Sequence, residues 1–157
     1  MDVSISKSIH QPPPHYLVED YMNELYSFIN SENDEEKYHL IKIAQAHHRF
    51  AWIHPFQDGN GRTVRALTYA MLIKYGFQVD LAGRLLNPTA IFCSNRALYY
   101  RALSWADTNE KEKMLAWCEY VFKGLSHEIE KVDKLLDYDY LSSNILMKSY
   151  MMRKSEK

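Results

Sequence analysis

Glycine and proline are scarce in this chain, five of each among 157 residues, about half the share usual in globular domains. A β-sandwich or barrel needs a turn bearing such residues roughly every 8–12 positions. The shortage therefore argues against those architectures and predicts a mostly helical chain. The turn formers are also bunched: Pro12, Pro13 and Pro14 make one knot, and Pro55, Gly59 and Gly61 another. With 46% hydrophobic residues, a chain of this length can bury roughly 68–70% of its unfolded surface in one core, and no second domain is required.

Nineteen basic against twenty acidic residues give a net charge of −1, which supplies no broad electrostatic footprint for nucleic acid. Apolar runs such as residues 70–73 fall far short of the ~20 residues a membrane helix needs, and the first eight residues lack the apolar core of a signal peptide. Cys93 and Cys118 have no CxxC spacing and fall in segments that read as buried helix. They are expected to be reduced thiols of a cytoplasmic protein.

Along the chain, residues 1–11 alternate polar and apolar, which permits a short extended segment running into the proline knot. Apolar residues then recur at helical spacing over 16–29 (Val18, Met22, Leu25, Tyr26, Ile29). A second, largely buried helix is predicted over 35–53, ending at His54 because the residue before a proline is pushed out of the α region. A third should span 61–75, with Val64, Leu67, Ala70, Met71 and Tyr75 inward and Gly76 closing its end. Asn87 to Thr89 reads as a turn, followed by a helix over 95–106. A long amphipathic helix carrying Met114, Trp117, Val121, Phe122, Leu125, Ile129, Val132 and Leu136 should run to about residue 137. The expected fold is an all-α bundle whose functional loop joins two central helices.

That loop reads His54-Pro55-Phe56-Gln57-Asp58-Gly59-Asn60-Gly61-Arg62, followed by Thr63-Val64-Arg65. Two glycines let backbone N–H groups turn toward one point at the positive end of a helix dipole, a combination that suits phosphate. Arg62 and Arg65, three apart, share a side of the first turns and can clamp further oxygens. A carboxylate beside such an anion site, Asp58, makes sense if a cation such as Mg²⁺ lies between, since magnesium commonly takes one or two carboxylates plus substrate phosphates. A neutral His54 can accept a proton from an incoming hydroxyl. Phe56, apolar within a polar loop, is expected to anchor the loop on the core. Together these are the parts for phosphoryl or nucleotidyl transfer, in which catalysis is mainly positioning and charge neutralisation.

The segment resembles the Fic family signature HPFx[D/E]GNGRxxR and matches it at every fixed position from His54 to Arg65. The resemblance extends over roughly residues 9–125, through the proline run, the lead-in Ala46-His47-His48-Arg49-Phe50 and the pair Tyr99-Tyr100. It implies a helical Fic core over 1–125, with a C-terminal helical extension over 126–157. It also implies transfer of AMP from ATP to a Ser, Thr or Tyr hydroxyl of a target protein, with release of pyrophosphate. On that resemblance His54 is the general base and Asp58 the Mg²⁺ ligand. Gly59, Asn60 and Gly61 cradle the α- and β-phosphates, Arg62 contacts the bound phosphates, and Arg65 steers the γ-phosphate. Tyr99, Tyr100 and Leu103 resemble the lining of the adenine pocket. The related Doc kinases carry lysine in place of Gly61, so AMP transfer is the reading favoured over phosphate transfer. UMP and phosphocholine transfer also occur in the family.

The chain departs from the family in three places. Only residues 2–11 precede the proline knot, where the family usually has a helix and a β-hairpin flap for the target, so at most a short β remnant of the flap is expected. The nearest match to the inhibitory [S/T]xxxE[G/N] helix is Ser126 to Lys131, with Glu130 as the candidate inhibitory glutamate and Lys131 where Gly or Asn is expected. Asp107 stands where an amide would suit adenine better. Residue by residue, His47 and His48 read as packing or hydrogen-bonding groups on a buried helix. A transition-metal set of His47, His48, His54 and Asp58 lacks the i, i+4 histidine pair of a zinc helix. The resemblance admits an antitoxin or other regulatory partner, and the stripe from Met114 to Leu136 admits a homodimer. The rival reading is a non-catalytic nucleotide-binding or interaction module.

Overall fold

The computed structural model describes residues 10–31, 35–77, 79, 87 and 89–136. Among these the chain is all-α, with six helices and no strand: α1 (Val18–Asn30), α2 (His39–Ile53), α3 (Asn60–Lys74), α4 (Ile91–Ser94), α5 (Arg96–Ala106) and α6 (Lys111–Leu136). Short 3₁₀ turns at His15–Leu17 and Glu36–Tyr38 lead into α1 and α2. The expected flap remnant lies outside the described residues, apart from His10 and Gln11. No helix among the described residues is long and apolar enough to cross a membrane.

Burial is concentrated on α2, which packs against α1, α3 and α6. Lys42, Ile43, Ala44, Ala46, His47, His48, Phe50 and Ile53 are all buried, so apolar and polar side chains alike face neighbours around most of its circumference. The Lys42 ammonium donates to the carbonyl and hydroxyl of Ser31, both at 2.8 Å, which ties α2 to the end of α1. By contrast α1 buries fully only Leu25 and forms an outer wall.

On α6, Trp117, Cys118, Val121, Leu125 and Val132 point inward at helical spacing. Trp117 is completely buried and donates its indole N–H to the Ala44 carbonyl at 2.8 Å, locking α6 to α2. Close approach explains Gly124: a Cβ there would lie 2.6 Å from Ile91 Cγ2, so only glycine lets α4 sit this near α6. The helix passes position 125 without a break and continues to Leu136.

Three sequence expectations are corrected. Ala70 faces solvent on α3, whose buried side is set by Val64, Thr68, Met71 and Leu72. Cys93 is exposed on the four-residue α4, whereas Cys118 is buried and its thiol is pushed up to about 11 by burial. Ile129 is 51% exposed on α6. Period alone does not say how wide a helix face its neighbours cover. The end of α3 agrees with expectation: Gly76 has φ 81°, its N–H bonds Ile73 O and that of Phe77 bonds Leu72 O, both at 3.0 Å.

Candidate active site

The loop between α2 and α3 is built by two backbone reversals and one side-chain clamp. His54 ends α2 in the left-handed region (φ 51°, ψ 56°), held there by Pro55 on one side and by its N–H to Phe50 O at 3.0 Å on the other. Gly59 precedes α3 with φ 89°, a conformation other residues adopt at a strain cost. Between them the buried Asn60 side chain accepts from the Phe56 N–H at 3.0 Å and donates to the Phe56 carbonyl at 2.5 Å. Asn60 is thus the anchor of the loop. The anchoring role expected of Phe56 is corrected: its ring is 45% exposed and only grazes Phe50, at 6.2 Å between centroids.

Of the loop residues expected to form the site, His54, Asn60 and Gly61 line the adjoining cavity, whereas Asp58, Gly59, Arg62 and Arg65 do not. No side chain caps the N-terminus of α3, so the first-turn amides keep their affinity for an anion. Asp58 accepts from the Gly59 N–H at 2.6 Å and from Arg62 Nη2 at 3.1 Å. With side chains 92% and 76% exposed, that ion pair is weak and exchanges readily for other partners. Gly61 lies inside the helix rather than at a turn. Its part is spatial: Gly61 lines the adjoining cavity, and a Cβ there would lie 3.4 Å from the Arg65 guanidinium, which is not itself among the lining residues. Arg65 is half-buried and has no hydrogen bond or carboxylate partner among the described residues.

The cavity has a volume of about 320 Å³, within the range of small-molecule sites. His54, Asn60 and Gly61 line it together with Tyr99, Tyr100 and Leu103 on α5, so loop and α5 residues meet around a common space. Burial holds the His54 imidazole below its ordinary pKa, with His10 acting the same way and the Ala51 carbonyl opposing. That carbonyl lies 3.4 Å from Nδ1. A carbonyl can only accept, so the contact places the proton on Nδ1 and leaves Nε2 as a base.

Sequence reasoning missed six cavity residues: Ala51 and Val64, read only as core positions, and His10, Trp52, Arg101 and Ser104. His10 bonds the Trp52 carbonyl through Nε2 at 2.8 Å and brings the chain before the proline knot to the cavity wall. The i, i+4 relation of Tyr100 to Ser104 was a usable signal for that residue. Nothing local marks Trp52 or His10. Asp107 also faces the cavity, with His48 Nε2 at 2.9 Å and His10 Nδ1 at 3.7 Å from its carboxylate.

The histidines do not form a metal centre. His47 bonds Thr68 and Tyr99, His48 bonds Asp107, and no group of three metal-ligating residues occurs among the described residues. Asp58, an exposed carboxylate next to the uncapped N-terminus of α3, is of the kind that could hold a Mg²⁺ ion together with phosphate oxygens and water. Glu130 accepts from Ser126 Oγ at 3.5 Å within α6 and makes no bond to Arg65.

Residues 1–72 match the family model described as the Fic/DOC family; the chain carries a Fic/DOC domain over that stretch, and the resemblance seen in the loop is borne out. The α5 wall lies beyond the matched segment. Similar proteins include "Protein adenylyltransferase Fic" of Nematostella vectensis, 34% identical over 100 residues, or 64% of this chain and 21% of that protein. "Protein adenylyltransferase fic-1" of Caenorhabditis briggsae is 27% identical over 118 residues, 75% of this chain and 21% of that protein. The protein of the former name from Aedes aegypti is 33% identical over 102 residues, 64% and 18% of the respective chains. The chain thus spans about a fifth of the length of these relatives.

Proposed function

We propose that the chain is the catalytic core of a protein adenylyltransferase that moves AMP from ATP to a hydroxyl of a target protein. The observation that carries this reading is the meeting, around one cavity, of a neutral, half-buried His54 and the uncapped first turn of α3 at Asn60 and Gly61, with Arg65 on the same helix. Curated relatives named protein adenylyltransferase support the class of reaction. In this reading the triphosphate lies over Gly59, Asn60 and Gly61, with Arg62 and Arg65 on its outer oxygens. The base lies against Tyr99, Tyr100 and Leu103. Asp58 would hold a magnesium ion, which would supply charge neutralisation at the phosphates.

His54 Nε2 takes the proton of the target hydroxyl as that oxygen attacks the α-phosphorus. The bond from the α-phosphorus to the bridging oxygen breaks, and pyrophosphate leaves with the electron pair. The acceptor is a protein Ser, Thr or Tyr, and Gly61, which leaves the cradle open, favours AMP over phosphate as the group moved.

The test is the intact mass of the chain and of lysate proteins after incubation with ATP and Mg²⁺. Addition of AMP that disappears in His54→Ala supports the proposal. Addition of phosphate alone makes the chain a kinase. Absence of any transfer, with ATP still raising the melting temperature in an Arg62-dependent way, makes it a non-catalytic nucleotide-binding module.

A further inference from the structure

We propose that His47 is a positioning residue, a buried imidazole with its proton fixed on Nδ1 that locks the Tyr99 wall of the cavity against the helix carrying Arg65. The consequence for nucleotide binding rests on the function proposed above; the lock itself rests on geometry alone. His47 is 1% exposed. Its Nδ1 lies 2.7 Å from Thr68 Oγ1 on α3 and its Nε2 lies 3.0 Å from the Tyr99 hydroxyl on α5. One ring on α2 therefore joins the two helices that bound the cavity. Its faces are fixed as well, stacked on Phe92 at 3.9 Å and tilted against Trp117 at 5.5 Å between centroids.

The hydroxyls at either end decide the tautomer. Thr68 Oγ1 lies 2.8 Å from Val64 O, an atom that can only accept, so the threonine proton goes there and Oγ1 is left to accept from His47 Nδ1–H. At the far end the Tyr99 hydroxyl has no other hydrogen-bond partner among the described residues, so it donates to the bare Nε2. The opposite tautomer would turn the Thr68 proton back to Nδ1 and leave the buried Tyr99 O–H without an acceptor, which is the costlier arrangement. The resulting chain runs Tyr99 O–H to Nε2, Nδ1–H to Thr68 and Thr68 O–H to Val64 O.

Protonation of His47 would break this order, and it is opposed. Burial pushes the pKa down to about 3, with His48 and Arg65 acting in the same direction. Burial likewise raises the Tyr99 phenol above its ordinary value, so its proton stays in place as the donor. Arg65 acts electrostatically on both His47 and Tyr99, which sets the lock between the phosphate-binding end of the site and its α5 wall.

The test has two arms on the full chain. In the first, Mg²⁺-ATP binding is measured calorimetrically well below the melting temperature for wild type and three variants. His47→Asn can reach Thr68 but not Tyr99, and Tyr99→Phe keeps the ring but loses the donor. Both should raise Kd roughly tenfold. His47→Gln, whose amide oxygen can accept from Tyr99, should remain within about threefold of wild type. A merely structural role would lower the melting temperature of all three variants with Kd unchanged, and that result overturns the proposal.

The second arm reads the tautomer of wild-type His47 from two-bond proton–nitrogen correlations, without reference to ATP. A proton on Nδ1 that persists from pH 5 to 8 supports the lock. A proton on Nε2, or titration within that range, overturns it. A wild-type protein that binds no ATP overturns the proposed function and with it the consequence for Kd, while the tautomer still decides the lock.

Discussion

Asn60 gives the sharpest test of how the loop is held. Its side chain makes two hydrogen bonds, at 3.0 and 2.5 Å, to the backbone of one residue, Phe56, from a position only 5% exposed. Asn60→Ala removes both and leaves a half-buried N–H and carbonyl to find water. Two neutral hydrogen bonds contribute about 0.5–1.5 kcal/mol each, so the loss should be about 2 kcal/mol. For a domain of this size that corresponds to roughly 4–8 °C in Tm. The clamp sits between His54 and Gly59, so Arg62-dependent nucleotide binding should weaken as well. Asn60→Asp adds a control: it keeps an acceptor for the Phe56 N–H but sets an anionic oxygen against the Phe56 carbonyl, and protonation restores a donor. Its deficit relative to Asn60→Ala should shrink as pH falls below the carboxylate range. Thermal melts followed by circular dichroism measure both variants. An Asn60→Ala protein melting within about 1 °C of wild type would refute the reasoning that this side chain anchors the loop.

Three further outcomes are expected. Gly124→Ala gains up to about 1 kcal/mol of helix propensity but drives a methyl group to 2.6 Å from Ile91 Cγ2, an overpacking worth about 1–3 kcal/mol; it should lower the urea midpoint, less so in an Ile91→Ala background, and a raised midpoint in the single variant would count against the close approach. His47 has its folded pKa depressed to about 3 from an ordinary 6.5. Between those values the unfolded chain binds a proton the native state does not, so this contribution is complete above pH 6.5 and is lost toward pH 3 at about 1.4 kcal/mol per unit. Urea titrations at pH 7.5 and 5 should show that fall, and His47→Gln should flatten it. For the transfer reaction, the depressed pKa of His54 places the acid limb of kcat/KM below pH 6.5; a limb centred above 7 would remove His54 as the base.

Much of the molecule was legible in the linear chain wherever the governing physics is local. Proline after His54 forces the end of α2 whatever surrounds it, Gly59 permits the turn into α3, and the spacing of Trp117, Val121 and Leu125 defines the inner face of α6. The residue types on which the proposed chemistry rests, from His54 to Arg65, likewise lie within one short segment. Where the outcome depends on how side chains pair and on how much of an element is covered, sequence reasoning failed. Phe56 was expected to bury its ring, and Asn60 does the anchoring instead because its amide matches both polar groups of the Phe56 backbone. Cys93 was expected inside and lies outside, because α4 is a single turn that buries only Ile91 and Phe92.

The chain alone therefore determined an all-α protein with a glycine-bearing loop between two helices, since helical period, proline stops and glycine conformations are properties of neighbouring residues. The cavity was decided by tertiary packing. His10, Trp52, His54, Asn60, Gly61, Tyr99 and Asp107 come from four separated stretches, and they share a wall only because α2 carries the buried groups that hold α1, α3, α5 and α6 around it. The same packing selected the His47 tautomer: an imidazole can carry its proton on either nitrogen, and the choice here belongs to two hydroxyls that folding brings to its ends.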